Sequence, residues 1–210
     1  EETVRRGIPV VVVDHQVDSV DVDTVMTDNA GGIRKAMGHL VSLGHRRIGF
    51  VGAPLRHRSL SQRYGAYCQA MLDLGLPRKE SWSLIHNDPG PTFDKGYQAI
   101  HGLHAQGLEP TALLCDNDNT AVGMLKACYE LKIDVPEQLS IVGFDNIAMA
   151  EHVVPGITSV HINKEAMGQW AAKRIHERMQ GGGTPVTVSI GTELIVRGST
   201  AVASDHQSEQ

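Results

Sequence analysis

Short runs of aliphatic residues alternate along this chain with longer segments whose apolar residues recur at helical spacing, and that alternation restricts the fold more than any other feature. Ile8 to Val13 is almost pure valine and isoleucine, the pattern of a strand buried on both faces, and Asp14 closes it. From Asn29 to Leu43 the positions Ile33, Ala36, Met37, Leu40 and Leu43 share one helical face, with Asp28 or Asn29 as cap and Gly44 as stop. Arg47 to Gly52 predicts the next strand and Ser61 to Leu74 the next helix, with Gly75 beyond it. The series continues with a strand over Trp82 to His86, a helix over Thr92 to Gln106, a strand over Ala112 to Cys115, a helix over Asn119 to Leu131 and a strand over Leu139 to Phe144. Strands and helices joined by short links call for right-handed crossovers, which produce an α/β fold with parallel sheets flanked by helices.

After Pro155 the pattern changes. Ile157 to Ile162 predicts one more strand, and Lys164 to Met179 a helix with Met167, Trp170, Ala171 and Ile175 inward, ended by Gly181-Gly182-Gly183. Val186 to Ser189 and Glu193 to Val196 read as short late strands returning to sheets already built. The polar stretch from Ser204 to Gln210 reads as a disordered tail.

Composition narrows the function classes. With 210 residues the chain can bury a sizeable core, but aromatics are only 4%, so aliphatic side chains must build it. A formal charge of −5 and a pI near 6.1 argue against gripping nucleic acid through a broad basic face. Cys68, Cys115 and Cys128 are odd in number and scattered, which suits free thiols in a reducing, cytoplasmic compartment. No apolar stretch is long enough to span a bilayer, so no membrane partner is expected.

The polar residues at two strand ends suggest a binding cleft. Val135 to Asn146 runs from a proline stop through Leu139, Ile141 and Val142 to Asp145 and Asn146; Thr111 to Asn119 repeats the plan, ending on Asp116-Asn117-Asp118-Asn119. Open α/β sheets bind ligands at the carboxyl ends of their strands. Catalysis and metal binding find little support. His101 and His104 share a helical face without a third ligand. Asp116-x-Asp118-x-Thr120 departs from a calcium loop, because the required glycine falls on Ala121 and the bidentate glutamate on Ala127. The nucleophile-elbow, phosphate-loop and dinucleotide fingerprints are missing, so no catalytic residue, metal or cofactor is expected and the chain is not read as an enzyme.

Four motifs in order carry a family resemblance. Gly7-Ile8-Pro9-Val10-Val11-Val12-Val13-Asp14, His39 to Gly52 with its His45-Arg46-Arg47-Ile48, Val135-Pro136-Glu137 leading to Ser140-Ile141-Val142-Gly143-Phe144-Asp145-Asn146, and Glu193-Leu194-Ile195-Val196-Arg197-Gly198-Ser199-Thr200 resemble the effector domain of LacI/GalR-type transcriptional repressors. The resemblance implies a periplasmic-binding-protein-like fold of two Rossmann-like lobes joined by three crossing segments, near Thr27-Asp28, Ser159-Val160 and Ser189-Gly191. Residues 1–27 plus 158–188 would form the remainder of an amino-terminal lobe, incomplete here. Residues 28–157 plus 189–203 would form the carboxyl-terminal lobe. The helix-turn-helix headpiece, hinge and first βα units of the family have no counterpart before Glu1.

The same resemblance implies an effector cleft lined by Asp14, Ser59, Arg63, Asn117 and Asp145, with Asp88 and Phe93 as an additional wall. Arg63 opens Arg63-Tyr64-Gly65-Ala66-Tyr67, a form of the family's Arg-x-x-Gly-Tyr helix start, and a guanidinium fork can hold vicinal hydroxyls or a carboxylate. Such a set suits a sugar-like ligand, whose hydroxyls each donate and accept. Where many family members carry Trp or Phe, this chain has Asp88-Pro89-Gly90-Pro91 with Phe93 nearby. Each residue also has a purely structural alternative: Asp145 as the cap of a helix starting near Ile147, Arg63 as a solvated residue or partner of Glu80, Asn117 as an Asx turn, Asp14 as a solvated strand end. The implied function is the ligand-sensing, homodimerising core of a repressor that meets operator DNA through a headpiece. Its alternative is a periplasmic sugar-binding protein of a transport system.

Overall fold

The computed structural model describes residues 2–15, 17, 21–52, 58–85 and 92–204. In chain order the elements are α1 (Glu2–Arg5), β1 (Val11–Val13), β2 (Asp23–Thr27), α2 (Asn29–Ser42), β3 (Ile48–Gly52), α3 (Arg58–Asp73), β4 (Ser83–Ile85), α4 (Thr92–Ala105), β5 (Ala112–Cys115), α5 (Asp118–Leu131), β6 (Ser140–Asp145), α6 (Ala148–His152), β7 (Thr158–Ile162), α7 (Lys164–Met179), β8 (Thr187–Ile190) and β9 (Thr192–Ile195). They form two sheets, a six-stranded one ordered β4-β3-β5-β6-β7-β9 and a three-stranded one ordered β1-β2-β8. Every pairing is parallel except β7 with β9.

Alternation within the strands of the larger sheet sends side chains to two separate cores. Ile48 and Phe50 of β3, Leu114 of β5 and Phe144 of β6 pack against α2 and α3 through Ile33, Leu40, Tyr67 and Met71. Their neighbours Val51, Leu113 and Ile141 face the opposite way, onto α4 and α5 through Ile100, Leu103 and Met124. Each such fully buried aliphatic side chain is worth about 1.5–3 kcal/mol. Helix starts are capped from the sequence itself: Asp28 accepts from Gly31 N–H at 2.8 Å, Asn117 from Thr120 N–H at 2.9 Å and Asn163 from Ala166 N–H at 2.9 Å.

The smaller sheet corrects one sequence expectation and adds a strand the sequence reading did not name. The strand expected from Ile8 is regular only over Val11–Val13, and its residues are half-buried or exposed because β1 has a partner on one side only. The central strand is β2, Asp23-Thr24-Val25-Met26-Thr27, and all five residues are buried. Asp23 can sit there because α7 supplies Arg174 at 2.7 Å and Arg178 at 3.2 Å to its carboxylate, and Val186 N–H donates to it at 3.1 Å.

Strand membership also moves one expected boundary. The stretch Thr158–Ile162, assigned in the sequence reading to the amino-terminal lobe, pairs with β6 and β9 in the larger sheet. The chain therefore crosses between sheets at Asn163 rather than near Ser159-Val160, and the other crossings fall at Asp28 and Gly191. The carboxyl-terminal segment then laces the larger sheet. Ser199 Oγ donates to Ile141 O at 2.6 Å and accepts from Thr158 N–H at 2.8 Å, and Ala203 N–H donates to Leu43 O at 2.8 Å. Ser204, expected to open the frayed tail, donates to Glu137 O at 3.0 Å. Residues 205–210 lie outside the described residues.

Helices α4 and α5 touch through backbone. A Cβ at Gly96 would stand 1.9 Å from Thr120 O, and one at Gly123 would stand 1.9 Å from Phe93 O. Overpacking of this kind costs about 1–3 kcal/mol, with no flexible side chain to yield. Gly102, also in α4, has nothing within 4 Å of its would-be Cβ. Gly96→Ala and Gly123→Ala are each expected to lower stability in urea unfolding by about 1–3 kcal/mol or more, whereas Gly102→Ala raises it by about 0.5–1 kcal/mol; equal effects at all three positions would contradict the packing described.

Candidate functional site

All strands that feed the crossings leave their sheets at carboxyl ends: β2 runs into α2, β7 into α7 and β8 into β9. The carboxyl edges of the two sheets therefore adjoin at the crossings, and polar residues follow β1, β2, β5 and β6 at those edges.

Arg63 is the centre of the cluster. It lies on the buried side of α3 and is only 4% exposed. Its Nε donates to Asn29 Oδ1 at 2.8 Å, its Nη1 donates to Asp116 O at 2.5 Å, and Nη1 also stands 3.2 Å from Asp145 Oδ1. Its Cζ sits 3.7 Å from the centroid of the Phe144 ring, a cation–π contact. Asn29 is itself buried and donates to Gln62 Oε1 at 3.0 Å. The expected fork is thus present, but protein groups from α2, β5 and β6 already hold most of it. The alternative pairing with Glu80 does not occur in the ion pairs of the described residues.

Asp145 ends β6 with φ of +102°, and Asn146 follows at +48°. Left-handed backbone at a residue other than glycine costs about 1–3 kcal/mol unless its surroundings hold it. Here Asn146 N–H donates to Ser159 Oγ at 3.1 Å, its Nδ2 to His161 Nδ1 at 3.1 Å, and its Oδ1 accepts from Arg197 Nη2 at 2.9 Å. Lys164 Nζ donates to the carbonyl of Asp145 at 3.0 Å. Burial pushes the Asp145 carboxyl up to about 6, against the opposing pull of the Arg63 guanidinium, while nearby Asp118 raises it further. Asp145 does not cap α6; the cap position is Ile147, without a side-chain hydrogen bond.

The remaining expected residues fall as follows. Asn117 caps α5 through its Oδ1, so the Asx reading holds for that atom. Asp14 is exposed at the carboxyl end of β1, with φ of +54°, and accepts from Thr27 Oγ1 at 3.4 Å. Ser59 is half-buried in the first turn of α3, and Phe93 is half-buried in the first turn of α4. Asp88 lies outside the described residues, as do the other residues of 86–91 and 53–57 that follow β4 and β3 at this edge. Sequence reading missed Asn29, weighed there only as a cap, and Phe144, which reads as plain core. It also missed Asp116 and Asp118 as separate contributors, although both stand in the acidic run that drew attention to this strand end. Asp118 is fully buried, and desolvation raises its pKa.

An apolar groove of about 790 Å³ adjoins this cluster between α2 and α3, lined by residues such as Met37, Ala66 and Leu74. It shares Asn29 and Gln62 with the Arg63 cluster and is lined by Asp28, but not by Asp14, Asp116 or Asp145. Among the described residues no group of three or more His, Cys, Asp or Glu is placed to hold a metal ion.

The sequence was compared with known proteins. The family described as a periplasmic binding protein-like domain matches residues 37–200. The HTH-type transcriptional repressor PurR of Photorhabdus laumondii is 35% identical over 175 residues, 83% of this chain and 50% of that repressor. The PurR repressor of Yersinia pestis is 32% identical over 93% of this chain and 57% of its own length. The chain belongs to the periplasmic binding protein-like family, in its LacI/GalR branch. Among solved structures, the transcriptional regulator CelR in complex with cellobiose superposes with a TM-score of 0.83 at 30% identity, covering 92% of this chain and 59% of CelR. A LacI family regulator from Enterococcus faecium with bound ribose superposes with a TM-score of 0.82 at 26% identity, covering 95% of this chain and 73% of that regulator. This LacI/GalR-type domain spans about half the length of the curated relatives it matches.

The raised Asp145 pKa fixes the sign of a pH effect. Its ordinary value is 3.8 and its value in the fold about 6, so folding takes up a proton between them. The stability that this carboxyl contributes is present below the ordinary value and lost as pH rises through the folded one. The melting temperature of the native domain relative to Asp145→Asn is expected to fall between about pH 4 and about pH 7; a flat difference would show an unshifted carboxyl. Arg63→Ala strands the buried ends of Asn29 and Asp145 and is expected to cost about 3–5 kcal/mol in urea unfolding.

Proposed function

We propose that this domain is the effector-sensing core of a transcriptional repressor, cytoplasmic and without enzymatic activity. The observation that carries the reading is the placement of Arg63, Asp145 and Asn117 together at the carboxyl edge of the larger sheet, with Asp14 at the carboxyl edge of the smaller one. Asp145 offers a carboxylate already aimed by Arg63, and Asn117 an amide whose nitrogen makes no hydrogen bond among the described residues. Acceptors and donors on the two edges fit a ligand with hydroxyls all round, so a sugar or related polar metabolite is the effector class. The cellobiose-bound and ribose-bound relatives support that class.

The effector acts by binding one relative arrangement of the two sheets better than another. The three crossings are the mechanical link, and two of them are bonded to each other: Asp28 N–H donates to Ile190 O at 2.8 Å, and Thr192 Oγ1 donates to Asp28 O at 3.5 Å. In the longer protein, headpieces paired by a homodimer would read operator DNA, with coupling of about 1–3 kcal/mol between effector and operator. The homodimer reading is supported by exposed apolar side chains around α6: Val154 is 94% exposed and Met149 53%. Three free cysteines, two of them buried, favour the repressor over the periplasmic transport reading.

The test is a thermal-shift screen of the longer protein against sugars, sugar phosphates, purines and nucleosides, followed by titration of DNA from upstream of its own gene. A binding sugar at a hundred times its dissociation constant adds about 2.7 kcal/mol of stability. A hit that changes DNA affinity is the expected outcome. A sugar that binds without any effect on DNA would replace the repressor reading with the transport one.

A further inference from the structure

The left-handed pair Asp145-Asn146 is held from beneath by a buried acid that the binding cluster itself does not use. Asp118, the first residue of α5, is fully buried, and no lysine or arginine forms an ion pair with it among the described residues. Its Oδ2 accepts from the backbone N–H of Ile147 at 2.8 Å, and its Oδ1 accepts from Ser159 Oγ at 2.6 Å. That same Ser159 oxygen accepts from the backbone N–H of Asn146 at 3.1 Å. Two consecutive amides after Asp145 thus converge on one carboxylate, directly and through one hydroxyl. Successive backbone N–H groups of this kind form a concavity for an anion, and here the anion belongs to the protein.

The neighbouring strand is shaped to admit the carboxylate. A Cβ at Gly143 would stand 2.1 Å from Asp118 Oδ1, so only glycine leaves room at that position of β6. Ser159 comes from β7, 41 residues along the chain, which ties three elements to the turn. A turn with two left-handed residues other than glycine relaxes unless such bonds hold it.

We propose that Asp118, acting through Ile147 N–H and Ser159, is the positioning residue that fixes the 145–147 turn and thereby holds the Asp145 carboxylate against Arg63. The consequence for ligand affinity rests on the function proposed above; the positioning itself does not. The charged groups facing Asp145 are Arg63 from α3, Asp118 from α5 and Lys164 from α7.

The experiment compares the whole chain with Ser159→Ala, which removes the bridging hydroxyl and keeps every one of those charges, and with Asp118→Asn, which keeps the shape and removes the anion. Amide hydrogen exchange at Asn146 and Ile147 is followed by NMR, together with the titration of the Asp145 carboxyl carbon. In Ser159→Ala, protection at Asn146 is expected to fall at least about tenfold, as one hydrogen bond of roughly 1.4 kcal/mol would dictate. The Asp145 titration is expected to move from about 6 toward the ordinary 3.8 as the carboxyl turns to solvent. In Asp118→Asn, protection is lost at Ile147 as well. A role confined to stability would lower the melting temperature while leaving the Asp145 titration of Ser159→Ala in place, and that result overturns the proposal. So does retained protection in both variants. If Asp118→Asn does not fold, Ser159→Ala still decides. None of these readouts requires a ligand, so a failed sugar screen counts against the proposed function and not against the positioning.

Discussion

A parallel sheet cannot be closed by hairpins, so each of its strands must be reached by a crossover, and all of them end at the same edge. In this protein that constraint collects Asp116-Asn117-Asp118 after β5 and Asp145-Asn146 after β6 on neighbouring strands, with no need for them to be close in sequence. The same rule applied to the smaller sheet places Asp14 and Thr27 on its carboxyl edge. Because β2, β7 and β8 leave their sheets at these ends, the two edges are made to adjoin by the connections that build them. The polar cluster is a product of sheet topology before it is a product of particular side chains.

What that topology gathers is charge in places where water is scarce, and the fold meets the problem in three ways. Asp23, at the start of β2, is neutralised by Arg174 and Arg178 of α7, which fastens that helix to the smaller sheet. Arg63 is held by one carboxylate, one amide, one carbonyl and an aromatic face, so its charge is spread over four partners. Among the described residues Asp118 has no cation in an ion pair with it and relies on hydrogen bonds from backbone and hydroxyl. Leaving such a carboxylate unsatisfied would cost several kcal/mol. In each case the partner comes from a distant part of the chain, so these charges specify the fold as much as the aliphatic core does.

The sequence was legible where periodicity and capping are local. Helix α7 begins and ends where the pattern of Met167, Trp170, Ala171 and Ile175 and the glycines after it place it, although Trp170, expected inward, is 39% exposed, and α2 begins at the residue after its Asp28 cap. Periodicity did not single out β2, whose buried aspartate is matched only by Arg174 and Arg178 from 150 or so positions away. Ile8 to Val10 failed in the opposite direction: apolar residues lay outside the regular strand, since an edge with one neighbour gives them little to pair with. At the site, Asp145 and Asn117 could be named from their place at strand ends. That Arg63 is buried, with its fork engaged by Asn29 and Asp116, could not.

By itself the sequence determined the order of the strands and helices other than β2, the parallel arrangement they require and the edge on which polar residues would stand, because turn chemistry and hydrophobic period act over a few residues. The tertiary structure alone decided which sheet β7 joins, which buried charge meets which partner, and that Asp145 and Asn146 stand in left-handed conformations over Asp118. Those outcomes depend on distances between segments far apart in the chain, and the free energy of a buried charge is set by the groups that surround it in space rather than by its neighbours in sequence.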